Sequence, residues 1–77
     1  MDKMITVFED RRPSLKEVQE LVGGYVERIV IPDSQDQMYV DEDGIYKPNK
    51  FNKEASDISG WKIVGHAVIL KGKARWT

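Results

Sequence analysis

Apolar residues fall into short runs that are separated by polar and turn-forming residues. The β-branched run from Met4 to Phe8 predicts a first strand, and the alternating run from Tyr25 to Ile31 predicts a second. A third strand is expected over Gln37 to Val40, antiparallel to the second. The last long strand is expected over Trp61 to Lys71, where Gly65 indicates a bulge or a close backbone approach.

A helix is predicted to begin at Ser14. The S-x-x-E spacing of Ser14 and Glu17 is typical of a capping box, in which each side chain bonds to the backbone N–H of the other residue. Four apolar residues follow at helical spacing and predict one buried stripe: Leu15, Val18, Leu21 and Val22.

Two adjacent glycines, Gly23 and Gly24, follow this helix. A phosphate-binding loop places its glycines before a helix, where free N–H groups face the anion. After a helix the free groups are carbonyls and the dipole end is negative, which repels phosphate. The two glycines therefore favour a left-handed helix end, with a ligand-binding loop as the alternative.

The segment before the last strand is predicted to contain a turn, a short strand and a short helix. Asp41 to Gly44 is the turn, because Asp-Gly suits positions of positive φ. Ile45 to Asn49 is interpreted as a return strand, and Phe51 to Ile58 as a helix that ends at Gly60. The residues expected to face inward from this helix are Phe51, Ala55 and Ile58.

This order of elements predicts the α+β class: strand, helix, strand, strand, short helix, strand. We expect one domain over residues 1–77, with a mostly antiparallel sheet, one well-formed helix and a second short helix packed with it on one face. The order superficially matches a split βαβ arrangement.

Composition limits the classes of function. The 77 residues include 12 basic and 13 acidic residues, so no global attraction to nucleic acid or to an anionic membrane is expected. The chain has no cysteine, which excludes disulfides and thiolate metal sites, and a core this small favours a homodimer or a higher homo-oligomer. With no apolar run near ~20 residues and no signal-peptide pattern, a cytoplasmic protein without membrane contact is expected.

Catalytic chemistry has little support in the sequence. The single histidine, His66, lies in an apolar strand, and a partly buried, hydrogen-bonded ring is favoured over a catalytic role. Carboxylates cluster in predicted turns, where they usually face solvent, and an EF-hand centred on Gly44 would place Tyr39 and Lys50 at ligand positions. No catalytic residue, metal site or cofactor is therefore predicted.

The C-terminal segment is a candidate binding surface. If the last strand continues, Lys71, Lys73 and Arg75 project from one side and Trp76 from the other, which suits a nucleic-acid backbone and a stacked base. The alternative is a solvated edge strand. Because apolar alternation fades after Leu70, this segment is predicted to contribute to binding more than to folding. Two tyrosines are further candidate contact residues: Tyr39 and Tyr46.

Four blocks of the sequence resemble an uncharacterised family of small phage and mobile-element proteins. The blocks are EVQELVGGYVERIVI, MYVDEDG, NKEA and IVGHAVIL, and they occur in the same order and cover most of the chain. The resemblance implies a phage or prophage origin and a compact α+β domain, but no activity. Asn52 is the polar residue in these blocks whose place is not explained by capping or turn geometry, which makes it a candidate site residue.

These observations lead to three hypotheses. The first is a non-enzymatic phage accessory protein in the host cytoplasm that binds a host protein or a small nucleotide signal, with an anti-defence role. The second is a nucleic-acid-binding module that uses the C-terminal strand, and salt-dependent affinity would identify it. The third is a small enzyme or enzyme subunit, which lacks a visible nucleophile–base pair or metal-ligand spacing.

Overall fold

A computed structural model describes residues 3–77 of the chain. Its strands and helices, in chain order, are β1 Ile5–Phe8, α1 Leu15–Val22, β2 Val26–Val30, β3 Gln37–Asp41, α2 Lys53–Ser59 and β4 Ala67–Leu70. Two 3₁₀-helical turns occur at Gly44–Tyr46 and Gly72–Ala74. The α+β class and the predicted order of strands and longer helices are confirmed.

The four strands form one mixed sheet in the order β1-β4-β3-β2. β4 pairs in parallel with β1, with Ile5 opposite Ala67, and antiparallel with β3, with Tyr39 opposite Val68. β2 and β3 are antiparallel, as predicted. β1 and β2 therefore run in the same direction at opposite edges, with both other strands between them.

The helices cover opposite faces of this sheet. The α1 face contains α1 residues and alternate strand residues: Val18, Val22, Tyr39, Val68 and Leu70. The α2 face contains the intervening strand residues with Ala55 of α2: Met38, Val40, Ala67 and Ile69. The prediction that both helices lie on one face is wrong, because every residue of β3 is buried and such a strand needs cover on both sides.

At the start of α1, only one of the two hydrogen bonds of the predicted capping box is formed. The Ser14 hydroxyl accepts from the Glu17 backbone N–H at 3.1 Å. The Glu17 carboxylate, however, accepts two hydrogen bonds from Arg11, at 2.7 and 2.9 Å. The predicted buried stripe is half right, because Val18 and Val22 are buried whereas Leu15 and Leu21 are exposed.

The two glycines at the end of α1 have different roles. Gly23 ends the helix in the left-handed conformation with φ 87°, as predicted. Gly24 has no positive φ, but a Cβ on it would lie 2.7 Å from Oδ1 of Asp41. The Nζ of Lys47 donates both to the Gly23 carbonyl, at 3.1 Å, and to Oδ2 of Asp41, at 2.6 Å. A cation thus satisfies the negative end of the helix.

The connection from β3 to α2 differs from the prediction. Residues 45–49 do not form a return strand in the described chain, because Gly44–Tyr46 closes into a 3₁₀-helical turn. The chain turns at Glu42 and Asp43, as predicted, but Gly44 has no positive φ, so the expected backbone conformation of the Asp-Gly pair is wrong. Phe51 and Ile58 are exposed, because α2 begins at Lys53 and buries Ala55 and Ser59 instead.

The last strand is shorter than predicted. Gly65 interrupts it with φ 79°, and a Cβ there would lie 3.1 Å from the side chain of Asn49. Before this glycine only an isolated bridge joins Val64 to Phe51, so that β4 covers Ala67–Leu70 alone. The predicted interruption at Gly65 is confirmed.

Candidate functional site

The C-terminal segment does not continue the last strand. It turns through Gly72–Ala74, with φ 51° at Gly72, immediately after β4. A 3₁₀-helical turn has three residues per turn instead of the two-residue repeat of a strand. The predicted alternation of three cations on one side and Trp76 on the other is therefore wrong.

Trp76 folds back onto the α1 face. Its ring centroid lies 4.5 Å from that of Tyr39, and its indole N–H donates to the Pro13 carbonyl at 3.0 Å. The Gln37 side chain accepts from the Trp76 backbone N–H at 2.8 Å and donates to its carbonyl at 2.7 Å. Tyr39 is buried and Trp76 is partly buried against it, so these two aromatic candidates take part in the core rather than forming an exposed contact surface.

The three cations of this segment have separate neighbours. The Lys71 ammonium lies 3.7 Å from the Asp36 carboxylate, and Nη1 of Arg75 donates to Oε1 of Gln35 at 2.8 Å. Lys73 is exposed within the turn. Their roles in binding stay predictions, and the common row on which the nucleic-acid hypothesis rested is not formed.

Asn52 has a structural explanation. It is the N-cap of α2, where its Oδ1 accepts from the Ala55 backbone N–H at 3.1 Å. Its Nδ2 donates to the carbonyls of Met4 and Gly65, each at 2.9 Å. The side chain is buried and its hydrogen bonds are made within the protein, so capping explains its place, contrary to the sequence analysis.

Tyr46 belongs to an exposed group that we call the aromatic surface. Its members are the exposed side chains around two clefts near β2: Val30, Ile45, Tyr46 and Trp61. Tyr46 is 82% exposed and Trp61 is 65% exposed, although both are large enough to be expected in a core.

The two clefts of the aromatic surface share a wall. Ile45 and Tyr46 line a cleft of about 220 Å³, and Trp61 lines one of about 340 Å³. Glu27 and Ile29 of β2 line both clefts, so the two form one continuous surface. The sequence predicted Tyr46 as a contact residue but assigned Trp61 to a strand; the glycine just before Trp61 was the signal that a helix ends there and leaves it in a loop.

A third cleft, which we call the basic cleft, is lined by residues that immediately precede β1 and β4 and by part of the connection from β3 to α2. It has a volume of about 510 Å³, and its lining residues are Lys3, Met4, Pro48, Asn49, Lys50, Gly65 and His66. None of these residues is acidic. The cleft can therefore supply ammonium, amide and imidazole groups to an anion.

His66 is partly buried and hydrogen-bonded, as predicted, although it precedes β4 instead of lying in a strand. Its Nε2 lies 2.7 Å from the Thr6 hydroxyl. Burial lowers the pKa of His66 below its ordinary value, so the neutral ring is favoured at pH 7. The ring can accept from or donate to the hydroxyl, according to its tautomer.

Residues 3–77 contain no group of three or more histidine, aspartate or glutamate side chains that could hold a metal ion. No helix in the same range is long and apolar enough to cross a membrane.

Comparison with known proteins identifies the family but gives no activity. No curated protein matches the chain, and no solved structure matches it. The family model for a domain of unknown function, DUF3846, matches residues 2–76, almost the whole chain. The expectation of an uncharacterised family is thus confirmed, without the phage or mobile-element origin, and the chain belongs to the DUF3846 family.

Proposed function

We propose that this is a non-enzymatic binding protein that attaches to another protein through the aromatic surface. The observation that carries the proposal is the exposure of Trp61 and Tyr46 beside two joined clefts. Tryptophan and tyrosine dominate the binding energy of many protein interfaces, because each buries a large area with few rotatable bonds.

The size of the cleft beside Tyr46 favours an inserted protein side chain over a small molecule. Pockets for small ligands usually measure roughly 300–1,000 Å³. The cleft beside Tyr46 measures about 220 Å³, which suits a single inserted side chain. Glu27 and Glu42 line it together with Lys62, so a partner with an apolar anchor flanked by a basic group fits best.

The biological setting is also part of the proposal. The resemblance to phage and mobile-element proteins favours a partner from the bacterial host, met in the host cytoplasm. A small chain with balanced charge that blocks or redirects a host defence protein would need a contact surface and no catalytic group. This anti-defence role gives the proposal its most specific form.

The test compares affinity capture from host lysate by the unchanged protein and by Trp61→Ala, Tyr46→Ala and Tyr25→Ala. Tyr25 is the matched control, because it is 71% exposed but does not line either cleft. We expect the captured protein to bind at least about 30-fold more weakly to the Trp61 and Tyr46 variants, the effect of removing one hot spot.

The Tyr25 variant should retain its affinity, and all variants should keep the melting temperature. Equal affinity in all four proteins would refute the role of the aromatic surface.

The basic cleft favours a second candidate, a small phosphorylated ligand such as a signalling nucleotide. Its volume of about 510 Å³ lies in the range of ligand pockets, and Lys3 and Lys50 line it without a carboxylate. Thermal-shift measurements with cyclic nucleotides and with inorganic phosphate test this candidate. Lys50→Gln should remove any stabilisation, whereas Lys62→Gln, outside the cleft, should not. If both variants are still stabilised by the ligand, the ligand binds outside the basic cleft.

The nucleic-acid and enzyme hypotheses have less support from the structure. A nucleic-acid role would need a surface other than a C-terminal strand, and steep weakening with salt would still identify it. An enzymatic role would need chemistry that no arrangement described above supplies.

A further inference from the structure

The outer edge of β1 offers an unpaired strand. On its inner side, the Met4 carbonyl accepts from Ala67 N–H and the Phe8 carbonyl accepts from Lys71 N–H, each at 2.9 Å. Backbone groups of alternate residues in a strand point to the same side, so those of Met4, Thr6 and Phe8 face β4. The N–H and C=O groups of Ile5 and Val7 therefore face outward, where the sheet order places no strand among residues 3–77.

The two edges of the sheet differ in how they are protected. Exposed charges along an edge strand discourage pairing with another chain. The other edge, β2, carries the exposed charges of Glu27 and Arg28. The β1 edge has neither a charge nor a proline over Ile5–Phe8, and Val7 is 51% exposed there.

We propose that a second copy of this chain pairs with the β1 edge, strand antiparallel to strand, about a two-fold axis that passes through Thr6. The two four-stranded sheets then become one continuous sheet. In this register Ile5 lies opposite Val7 of the other copy, and the two residues exchange both backbone hydrogen bonds. Lys3 lies opposite Glu9, just beyond the strand ends.

Geometry and charge select this register. A shift by one residue would set an outward-facing residue opposite one whose backbone already bonds to β4, so the ladder could not form. A shift by two places either Ile5 opposite Glu9 or Lys3 opposite Val7, which loses the ion pair and opposes a charge to an apolar side chain.

Self-complementarity is the reason for a second copy as the occupant. The edge reads basic, apolar, apolar, acidic at Lys3, Ile5, Val7 and Glu9, so its own reverse is its best match. A groove of about 660 Å³ runs beside Ile5 and Val7 on the α2 face and could receive the partner's edge. The aromatic surface, at the opposite edge of the sheet, stays free in such a dimer.

Charge reversal tests the proposal without touching the core, because Lys3 and Glu9 are both exposed. Sedimentation equilibrium at low salt compares the unchanged protein with Lys3→Glu, with Glu9→Lys and with the double swap. Asp10→Lys is the matched control, because it makes the same charge change one exposed residue further along.

We expect the unchanged protein to form a dimer of two 8.9 kDa chains. Each single reversal should raise the dimer dissociation constant by about tenfold, since an attraction becomes a repulsion on both sides of the axis. The double swap should restore it and Asp10→Lys should not change it. A monomer at every concentration, equal effects of Glu9→Lys and Asp10→Lys, or no rescue by the swap would each overturn the proposal.

Amide hydrogen exchange supplies a second measurement that needs no variant. The amides of Ile5 and Val7 should be protected at concentrations where the dimer forms and exposed after dilution. The amide of Thr6, which faces β4, should stay protected at both concentrations. Equal behaviour of all three amides would contradict pairing at this edge.

Discussion

The two faces of the sheet are covered by different means. The α1 face is covered by a helix and by Trp76, which is tied to Pro13 and Gln37 by hydrogen bonds. The α2 face has a seven-residue helix that buries Ala55 and Ser59. Large side chains at its margins stay exposed: Val7, Phe51 and Trp61. Both proposed contact surfaces, the aromatic surface and the β1 edge, adjoin the face whose helix buries the smaller side chains.

Removing the closing contact of the α1 face should have the largest effect. We expect Trp76→Ala to lower the free energy of unfolding by about 4 kcal/mol, because a large ring and the hydrogen bond from its indole N–H to Pro13 are lost together. Urea denaturation measures this change. Truncation after Lys71 should cost at least as much, the opposite of the expectation that the segment serves binding more than folding.

Lys73→Ala is the control for that experiment, because Lys73 is an exposed residue of the same segment. Its effect should lie within about 0.5 kcal/mol. A stable Trp76→Ala variant would mean that the α1 face closes without this ring.

Asn52 links the start of α2 to the backbone beside the sheet, as Trp76 links the C-terminal segment to the α1 face. Asn52→Ala should destabilise the protein by about 2–3 kcal/mol, because it removes the cap of α2 and two buried hydrogen bonds to carbonyls. Asn52→Ser keeps a neutral capping oxygen and loses both donated bonds, so it separates the two contributions. If Asn52→Ala costs no more than Ser14→Ala, a cap alone, then the links to Met4 and Gly65 contribute nothing.

The two glycines after α1 should lose stability for different reasons when each is replaced by alanine. Gly23→Ala should cost about 1 kcal/mol through its positive φ alone, since a Cβ meets no atom within 4 Å. Gly24→Ala should cost about 1–2 kcal/mol through its approach to Asp41, in the range of overpacking. In a double-mutant cycle, Asp41→Ala should remove the cost at Gly24 and leave the cost at Gly23. Equal coupling at both glycines would contradict this division.

The smallest expected effect is a pH dependence at Asp41. Burial acts to raise the pKa of Asp41, but the hydrogen bonds from Lys47 and the Asp43 backbone N–H, with the Lys47 charge, outweigh it and hold the pKa below its ordinary value. The resulting stability is present above the unfolded-state pKa and is lost as pH falls through the lower folded-state pKa. An NMR titration should show the pKa of Asp41 rising in Lys47→Met, because burial then dominates. An unchanged pKa would show that Lys47 is not its main partner.

Local signals in the sequence predict the local structure well. Ser14 and Gly23 mark the ends of α1, and β-branched runs mark the strands, because these choices depend on neighbouring residues. The capping role of Asn52 also had a local signal, an asparagine just before a helix. Trp76 had none, because its partner Pro13 lies 63 residues away and no periodic pattern connects them. The exposure of Trp61 likewise depends on where α2 places its end.

The position of β4 in the centre of the sheet determines the order in which the chain can fold. The β2–β3 hairpin and α1 use contacts that are near in sequence, so they can form early. β1 is synthesised first, yet its partner β4 begins with Ala67, opposite Ile5. Until β4 joins, β1 has no strand of the sheet to pair with and β3 has only one of its two neighbours. Parallel pairing of β1 with β4 closes a loop of most of the chain, and such distant contacts form slowly. We therefore expect a rate-limiting step in which β4 inserts between β1 and the β2–β3 hairpin.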